Sequence, residues 1–281
     1  MTTALVLAGG GVAGIAWELG VLRGVLDGRP DLADAVLHTD VLIGTSAGST
    51  VAALIGGGTP LDELYAAQLD PASAEIAVDV DLMALFERFT AATAGVTDAL
   101  ELRRRLGALA LATETVAEAD RRAAVAARLP VREWSTRDIR IPAVDAETGE
   151  TRVFSRDSSV ELVDAVTASC AVPGVWPPAT IEGRRYVDGG VRSGSNADLA
   201  AGADRVLILT PTLPGVPGPW GDLDAEIASL TPARVVVIHA DDDSIAAFGT
   251  NPLAASTRAP SARSGRRVGE RHADEVAALL G

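Results

Sequence analysis

Residues 41–50 read VLIGTSAGST, and this stretch decides the fold. Val41, Leu42 and Ile43 form a short apolar run, the pattern of a strand buried on both faces. Gly44-Thr45-Ser46-Ala47-Gly48 follows, and an Ala-rich run then continues as a helix to the cluster at Gly56, Gly57 and Gly58. Strand, tight turn and helix form the context in which G-x-S-x-G lifts a serine hydroxyl above a sheet. Small neighbours are needed because the turn is strained and other backbone passes close by. Ser46 is a candidate nucleophile, and the plainer alternative is a small residue where strand meets helix. A nucleophile needs a base, and none of the three histidines lies near Ser46 in sequence.

A second passage of the same kind precedes it. Residues 4–8, ALVLA, read as a buried strand entering GGGVAG, and Ile15, Leu19, Leu22 and Leu26 then recur at helical spacing up to Gly28. Two strand–turn–helix passages in succession predict βαβ units and a mainly parallel sheet, an α/β chain. Gly9, Gly11 and Gly14 fit G-x-G-x-x-G, which permits a dinucleotide loop. That reading wants an acidic residue closing the second strand, where this chain has GTSAG, with Asp40 placed before the strand instead. No G-K-[ST] follows, so a P-loop is excluded. The other reading is an oxyanion hole, since consecutive glycines bring backbone N–H groups close to a ligand at a helix N-terminus. A glycine turn serving strand–helix packing alone is the third.

From about 60 to 130 the pattern is helical: LDELYAAQL, DLMALFERF and an Ala/Leu/Arg run from about 97 to 128 form an insertion or cap. IRIPAVDAETGETRVF predicts a hairpin turning at Thr148 and Gly149. VELVDAVTASCA predicts a helix stopped by Pro173, and ATIEGRRYVDGG a second hairpin turning at Glu182 and Gly183. RVLILT and RVVVIHA are further buried strands, and GRRVGERHADEVAALLG is a terminal helix. The segments 211–221 and 244–265 read as loops, no internal repeat is seen, and residues 1–281 read as a single domain.

Composition narrows the function classes. The hydrophobic fraction is 48% with only 4% aromatic, so the core is aliphatic. The formal net charge of −14 argues against nucleic acid and against charge-driven binding to anionic lipid. One cysteine, Cys170, excludes an internal disulfide and fits a reducing, cytoplasmic compartment. No window offers about 18 uninterrupted apolar residues, so no spanning helix is expected, and the N-terminus has no signal-peptide pattern.

YVDGG, residues 186–190, adds an acid: Asp188 ends a strand, and Gly189 and Gly190 allow a turn that presents its carboxylate. With GGGVAG and GTSAG before it, and ASCAVPGVWPP at 168–178, the chain resembles the patatin-like phospholipases over about residues 4–210. The resemblance implies a three-layer α/β/α fold and a lipid acyl hydrolase without metal or cofactor. It makes Ser46 the nucleophile and Asp188 the base, with Gly10, Gly11 and Val12 donating backbone N–H groups to the oxyanion. Gly9, Gly14, Gly44, Gly48, Gly189 and Gly190 are the motif glycines. Many relatives have Arg or Lys where this chain has Ala13. The implied substrate is a lipid or other acyl ester, with transient contact at a membrane surface left open and oligomeric state unread.

Competing assignments remain on the sequence. His239 at a strand end and His272 in the last helix permit a Ser-His-Asp esterase, while His38 reads as ordinary surface. Asp145 reads as a turn residue and Asp198 as a helix cap. A non-enzymatic lipid-binding or regulatory protein of the same fold, and a nicotinamide oxidoreductase, are the other classes.

Overall fold

The computed structural model describes residues 1–72, 75–77, 80–215 and 221–281. Strand β1 (Thr3–Leu7) runs into α1 (Gly11–Gly28), and α2 (Ala33–Leu37) leads to β2 (Val41–Gly44) and α3 (Ala47–Gly56). Helices α4 (Leu61–Leu69), α5 (Leu82–Thr93), α6 (Ala99–Ala112) and α7 (Glu118–Arg128) follow. The chain continues through β3 (Asp138–Asp145), β4 (Thr151–Phe154), α8 (Leu162–Ser169), β5 (Ala179–Ile181) and β6 (Arg184–Asp188). It ends with β7 (Arg205–Thr210), α9 (Leu223–Ser229), β8 (Arg234–His239), α10 (Asp242–Phe248) and α11 (Arg258–Leu280).

The sheet order is β5-β6-β3-β2-β1-β7-β8, with β4 paired to the second half of β3. From β3 to β8 the neighbours are parallel, as the βαβ reading requires. The antiparallel strands are the two predicted hairpins. Glu182 and Gly183 both take positive φ, 52° and 77°, as a two-residue type I′ turn demands.

Alternation along β1 builds the layers. Leu5 and Leu7 point into the main core with residues of α1, α3, α8 and α11. Ala4 and Val6 point the other way, onto Ala197, Ala200, Leu230 and Ile227 of α9. On that same second side of the sheet's other end, Leu106 and Ala110 of α6 pack with Val144 and Val187. This is a three-layer α/β/α fold, and α4 to α7 fall within 60–130, where the sequence pattern reads as helical. The 97–128 run is two helices, α6 and α7, since the backbone turns extended at Thr113, the C-cap of α6, whose N–H bonds the Ala110 carbonyl and leaves the i−4 ladder.

Two features differ from the sequence reading near the C-terminus. The segment 244–265 is largely helical: Asp241 caps α10 by accepting from the Ser244 N–H at 2.9 Å, and Phe248 packs edge-on to Trp17. Helix α11 starts at Arg258, since Pro260 falls in its first turn, where a missing N–H costs nothing. Of the predicted loop at 211–221, residues 216–220 lie outside the described residues.

Helices α1 and α11 touch backbone to backbone. A Cβ added to Gly24 would lie 1.9 Å from the Arg266 carbonyl oxygen, and one on Gly269 would lie 2.1 Å from that of Val21. Helix propensity favours Ala over Gly by about 1 kcal/mol, but overpacking of this kind costs more than it returns. Gly24→Ala is therefore expected to lower the urea midpoint, by roughly 2–3 kcal/mol of stability. A midpoint that rises would show that the two helices separate without penalty.

Candidate active site

The register pairs Leu7 of β1 with Gly44 of β2, so the two strands end level and their loops meet at the carboxyl edge of the sheet. Ser46 occupies the turn between β2 and α3 with φ 52° and ψ −114°. A serine takes this left-handed backbone at a cost of roughly 1–3 kcal/mol, and surrounding contacts must hold it there. Its N–H donates to Ser169 Oγ at 3.0 Å. Its carbonyl accepts from Ser49 Oγ at 2.6 Å and from Cys170 Sγ at 3.1 Å. Gly44 and Gly48 are needed for clearance: a Cβ on Gly48 would sit 2.0 Å from the Leu7 oxygen, and one on Gly44 would sit 2.4 Å from the Gly48 oxygen.

Strand β6 delivers Asp188 to the same place from the far side of β3, and its N–H is fixed on the Ala171 carbonyl at 3.0 Å. Ser46 Oγ donates to Asp188 Oδ2 at 2.7 Å, and the Gly190 N–H donates to Oδ1 at 2.7 Å. Gly189 lets the turn press against β3, since a Cβ there would lie 2.4 Å from the Pro142 oxygen. Burial pushes the Asp188 carboxyl from 3.8 up to about 7, against the pull of the Ser46 and Gly190 hydrogen bonds and the charge of Arg121. Such a group changes protonation where a general base must. The pair is competent to pass a proton from serine to carboxylate.

The glycine loop lies beside it: a Cβ on Gly9 would be 3.5 Å from that of Ser46. The Gly9 N–H donates to Gly194 O, and those of Ala13 and Gly14 donate to Pro252 O and Gly10 O, all within 2.9 Å. Among the described residues nothing accepts from the N–H groups of Gly10, Gly11 and Val12. These are the open donors of the α1 N-terminus, where the helix dipole also favours negative charge. Gly14 allows α1 to approach α3, with Ala47 Cβ 3.2 Å from where its own would be.

The competing groups are engaged elsewhere. His239 Nδ1 lies 3.3 Å from Thr212 O and His272 Nδ1 lies 2.9 Å from Val268 O. His38 is paired at the surface with Asp34. Asp145 accepts from the N–H groups of Glu147 and Thr148 and from Arg184, all about the β3–β4 turn. Those donors outweigh its burial and hold its carboxyl below the ordinary value, opposite to Asp188. Asp198 pairs with Arg192, and the cap of its short turn is Asn196. Asp40 is tied to Thr3 at the start of β1. Among the described residues no three His, Cys, Asp or Glu side chains converge as a metal site needs.

Several contributors were not singled out in the sequence. Ser169 and Cys170 lie within the ASCAVPGVWPP stretch, and both hold the Ser46 turn. Asn196 joins the two motif turns, its Nδ2 donating to Thr45 Oγ1 at 3.0 Å and to Gly189 O at 3.3 Å. The cavity at Ser46 is walled by Val12, Cys170 and Trp176, and by Arg121 and Arg128 of α7. A second cavity shares Val12, Ile15 and Arg128 with it and reaches Gln68 of α4. The insertion is therefore part of the site. Arg121 and Arg128 stand at i and i+7, one helix face, which was the available signal.

No helix of the described residues is long and apolar enough to cross a membrane. The chain is similar to VipD from Legionella pneumophila, with TM-score 0.47 and 13% identity over 98% of this chain and 67% of that one. It is similar to the type III effector protein ExoU, with TM-score 0.43 and 16% identity over 98% of this chain and 53% of that one. For full-length ExoU in complex with SpcU from Pseudomonas aeruginosa the values are 0.40 and 18%, over 100% and 53%. The chain thus spans about half the length of ExoU. No curated protein matches it. The model of the patatin-like phospholipases matches residues 5–201, from the first strand past the Asp188 turn, and the chain belongs to that family.

Proposed function

We propose that the protein is a lipid acyl hydrolase that cleaves carboxylic esters with Ser46 as nucleophile and Asp188 as general base. The observation that carries this reading is the 2.7 Å hydrogen bond from Ser46 Oγ to the buried Asp188 carboxylate. Asp188 takes the Ser46 proton as Oγ attacks the ester carbonyl, and the N–H groups of Gly10, Gly11 and Val12 hold the oxyanion. Collapse breaks the ester C–O bond, and the leaving alcohol takes the proton from Asp188. Water then attacks the acyl-enzyme, gives its proton to Asp188, and releases the acid as Ser46 recovers a proton. Each oxyanion donor of this kind contributes on the order of 3–4 kcal/mol.

The reading needs no cofactor and takes residues 1–281 as one domain. It keeps the cytoplasmic placement drawn from the single cysteine. It includes transient contact with a lipid surface, toward which Met83 and Phe86 of α5 stand exposed. Treatment with a fluorophosphonate probe is expected to leave one adduct, on the peptide that carries Ser46. An intact protein mass after such treatment would sink the proposal.

A further inference from the structure

Arg121 is 3% exposed, and its Nε and Nη1 have no hydrogen-bond partner. No carboxylate among the described residues forms an ion pair with it. Its guanidinium lies on the face of Trp176, with Cζ 3.9 Å from the ring centre, and it walls the cavity that holds Ser46. Burial and the neighbouring charge of Arg128 bring its pKa down to about 10, so it remains a cation at neutral pH. Arg128 lines the same cavity but is held by Glu75, with Nε to Oε1 at 2.8 Å. An unpaired buried charge is costly, and the ring face offsets only part of that cost. A chain with net charge −14 thus keeps beside its candidate nucleophile a buried cation that feels Glu75 and Asp188 through space but has no carboxylate bonded to it.

Stacking fixes the plane of the guanidinium, and the covered Nε and Nη1 lack the acceptor that a group with two oxygens would supply. Ala13, buried in α1, brings no charge to this cavity, so the cations come from α7. We propose that Arg121, assisted by Arg128, sets specificity by receiving a phosphate-ester group carried near the acyl ester that Ser46 attacks. This rests on the hydrolase reading above, and it names the class of substrate for that site.

The test compares two esters of one acyl chain, a monoacyl glycerol phosphate and the matching monoacylglycerol. They are assayed on wild type, Arg121→Met and Arg121→Lys at about pH 9, where Asp188 is ionised throughout. Wild type is expected to prefer the phosphate ester. The ratio of the two kcat/KM values is expected to fall roughly 10- to 100-fold in Arg121→Met and less in Arg121→Lys. Removing the Arg121 charge is also expected to move the acid limb of the pH profile upward, which loss of packing alone would not do. Inorganic phosphate is expected to compete with the neutral ester in wild type. A ratio that stays within about twofold in Arg121→Met, or a wild type that prefers the neutral ester, overturns the proposal. If Arg121→Met shows no cooperative melt, the wild-type preference and phosphate inhibition decide. Absence of a fluorophosphonate adduct on wild-type Ser46 overturns the hydrolase reading instead, while a labelled Ser46 with an unmoved ratio overturns only the anion subsite.

Discussion

Replacing Ser46 with alanine is expected to lower kcat/KM for medium-chain p-nitrophenyl esters by on the order of 10⁴- to 10⁶-fold in a folded protein. In the proposed mechanism the hydroxyl oxygen forms the acyl bond, and among the described residues Ser46 Oγ is the only hydroxyl on Asp188. What survives in the variant is whatever the open N–H groups and substrate positioning supply. The fold is expected to persist, because the contacts that hold the turn engage the Ser46 backbone rather than its side chain. One further consequence follows for Asp188. Its hydrogen bond with Ser46 opposes the effect of burial, so the variant's carboxyl moves further up. Steady-state assay with a matched melting curve checks both, and undiminished turnover would retire Ser46 as the nucleophile.

Asp188→Asn is expected to cost roughly 10³- to 10⁴-fold in kcat/KM, and to stabilise the protein at the same time. Asn keeps the acceptor for the Gly190 N–H and can donate to Ser46, but it cannot take a proton. With Asp188 as the proposed base, wild-type activity needs the ionised carboxylate, so it is expected to rise as pH climbs through about 7 and level off above. Stability runs the other way. The folded carboxyl titrates near 7 and the unfolded one near 3.8, so between those values the folded state binds more protons. Stability then falls as pH rises across that window and stays reduced above it. At pH 8 the Asn variant is expected to gain up to about 4 kcal/mol, read as a higher melting temperature. An equal loss of activity on His239→Ala, or an Asn variant no more stable than wild type above pH 7, would contradict the assignment of Asp188. The cost of burying this carboxylate and its usefulness as a base have one origin.

Some of this was legible residue by residue. Gly44 and Gly48 announce a turn over which other backbone passes, because only glycine survives at 2.0–2.4 Å from a carbonyl oxygen. Gly9 to Gly14 and Asp188-Gly189-Gly190 are legible for the same reason, since close approach restricts residue type locally. The period-2 hairpins and the buried strands also follow from local pattern, including the type I′ turn at Glu182 and Gly183. In the 244–265 segment the reading failed, because Pro260 and the run of Ser and Ala look like loop until the helix register places the proline in a first turn. Gly20, Gly24, Gly265 and Gly269 could not be recognised as a contact, because nothing in either helix says which helix lies opposite.

The sequence by itself determined the parallel α/β framework, the strained serine turn, the glycine loop and the acid at a strand end. Each is a demand of local backbone geometry on residue type. Only the tertiary structure decided that Ser46 and Asp188, 142 residues apart, stand at 2.7 Å. It also decided that the Asp145 carboxyl is held below its ordinary value while that of Asp188 is pushed up to about 7, since the balance of desolvation against donors exists only in the packed interior. Arg121 is the furthest case. The sequence does not set it apart from the other arginines of its run, and burial against Trp176 beside the serine leaves its Nε and Nη1 without a partner. Local sterics are written in neighbouring residues, whereas electrostatic environment depends on which distant segments exclude water from a side chain.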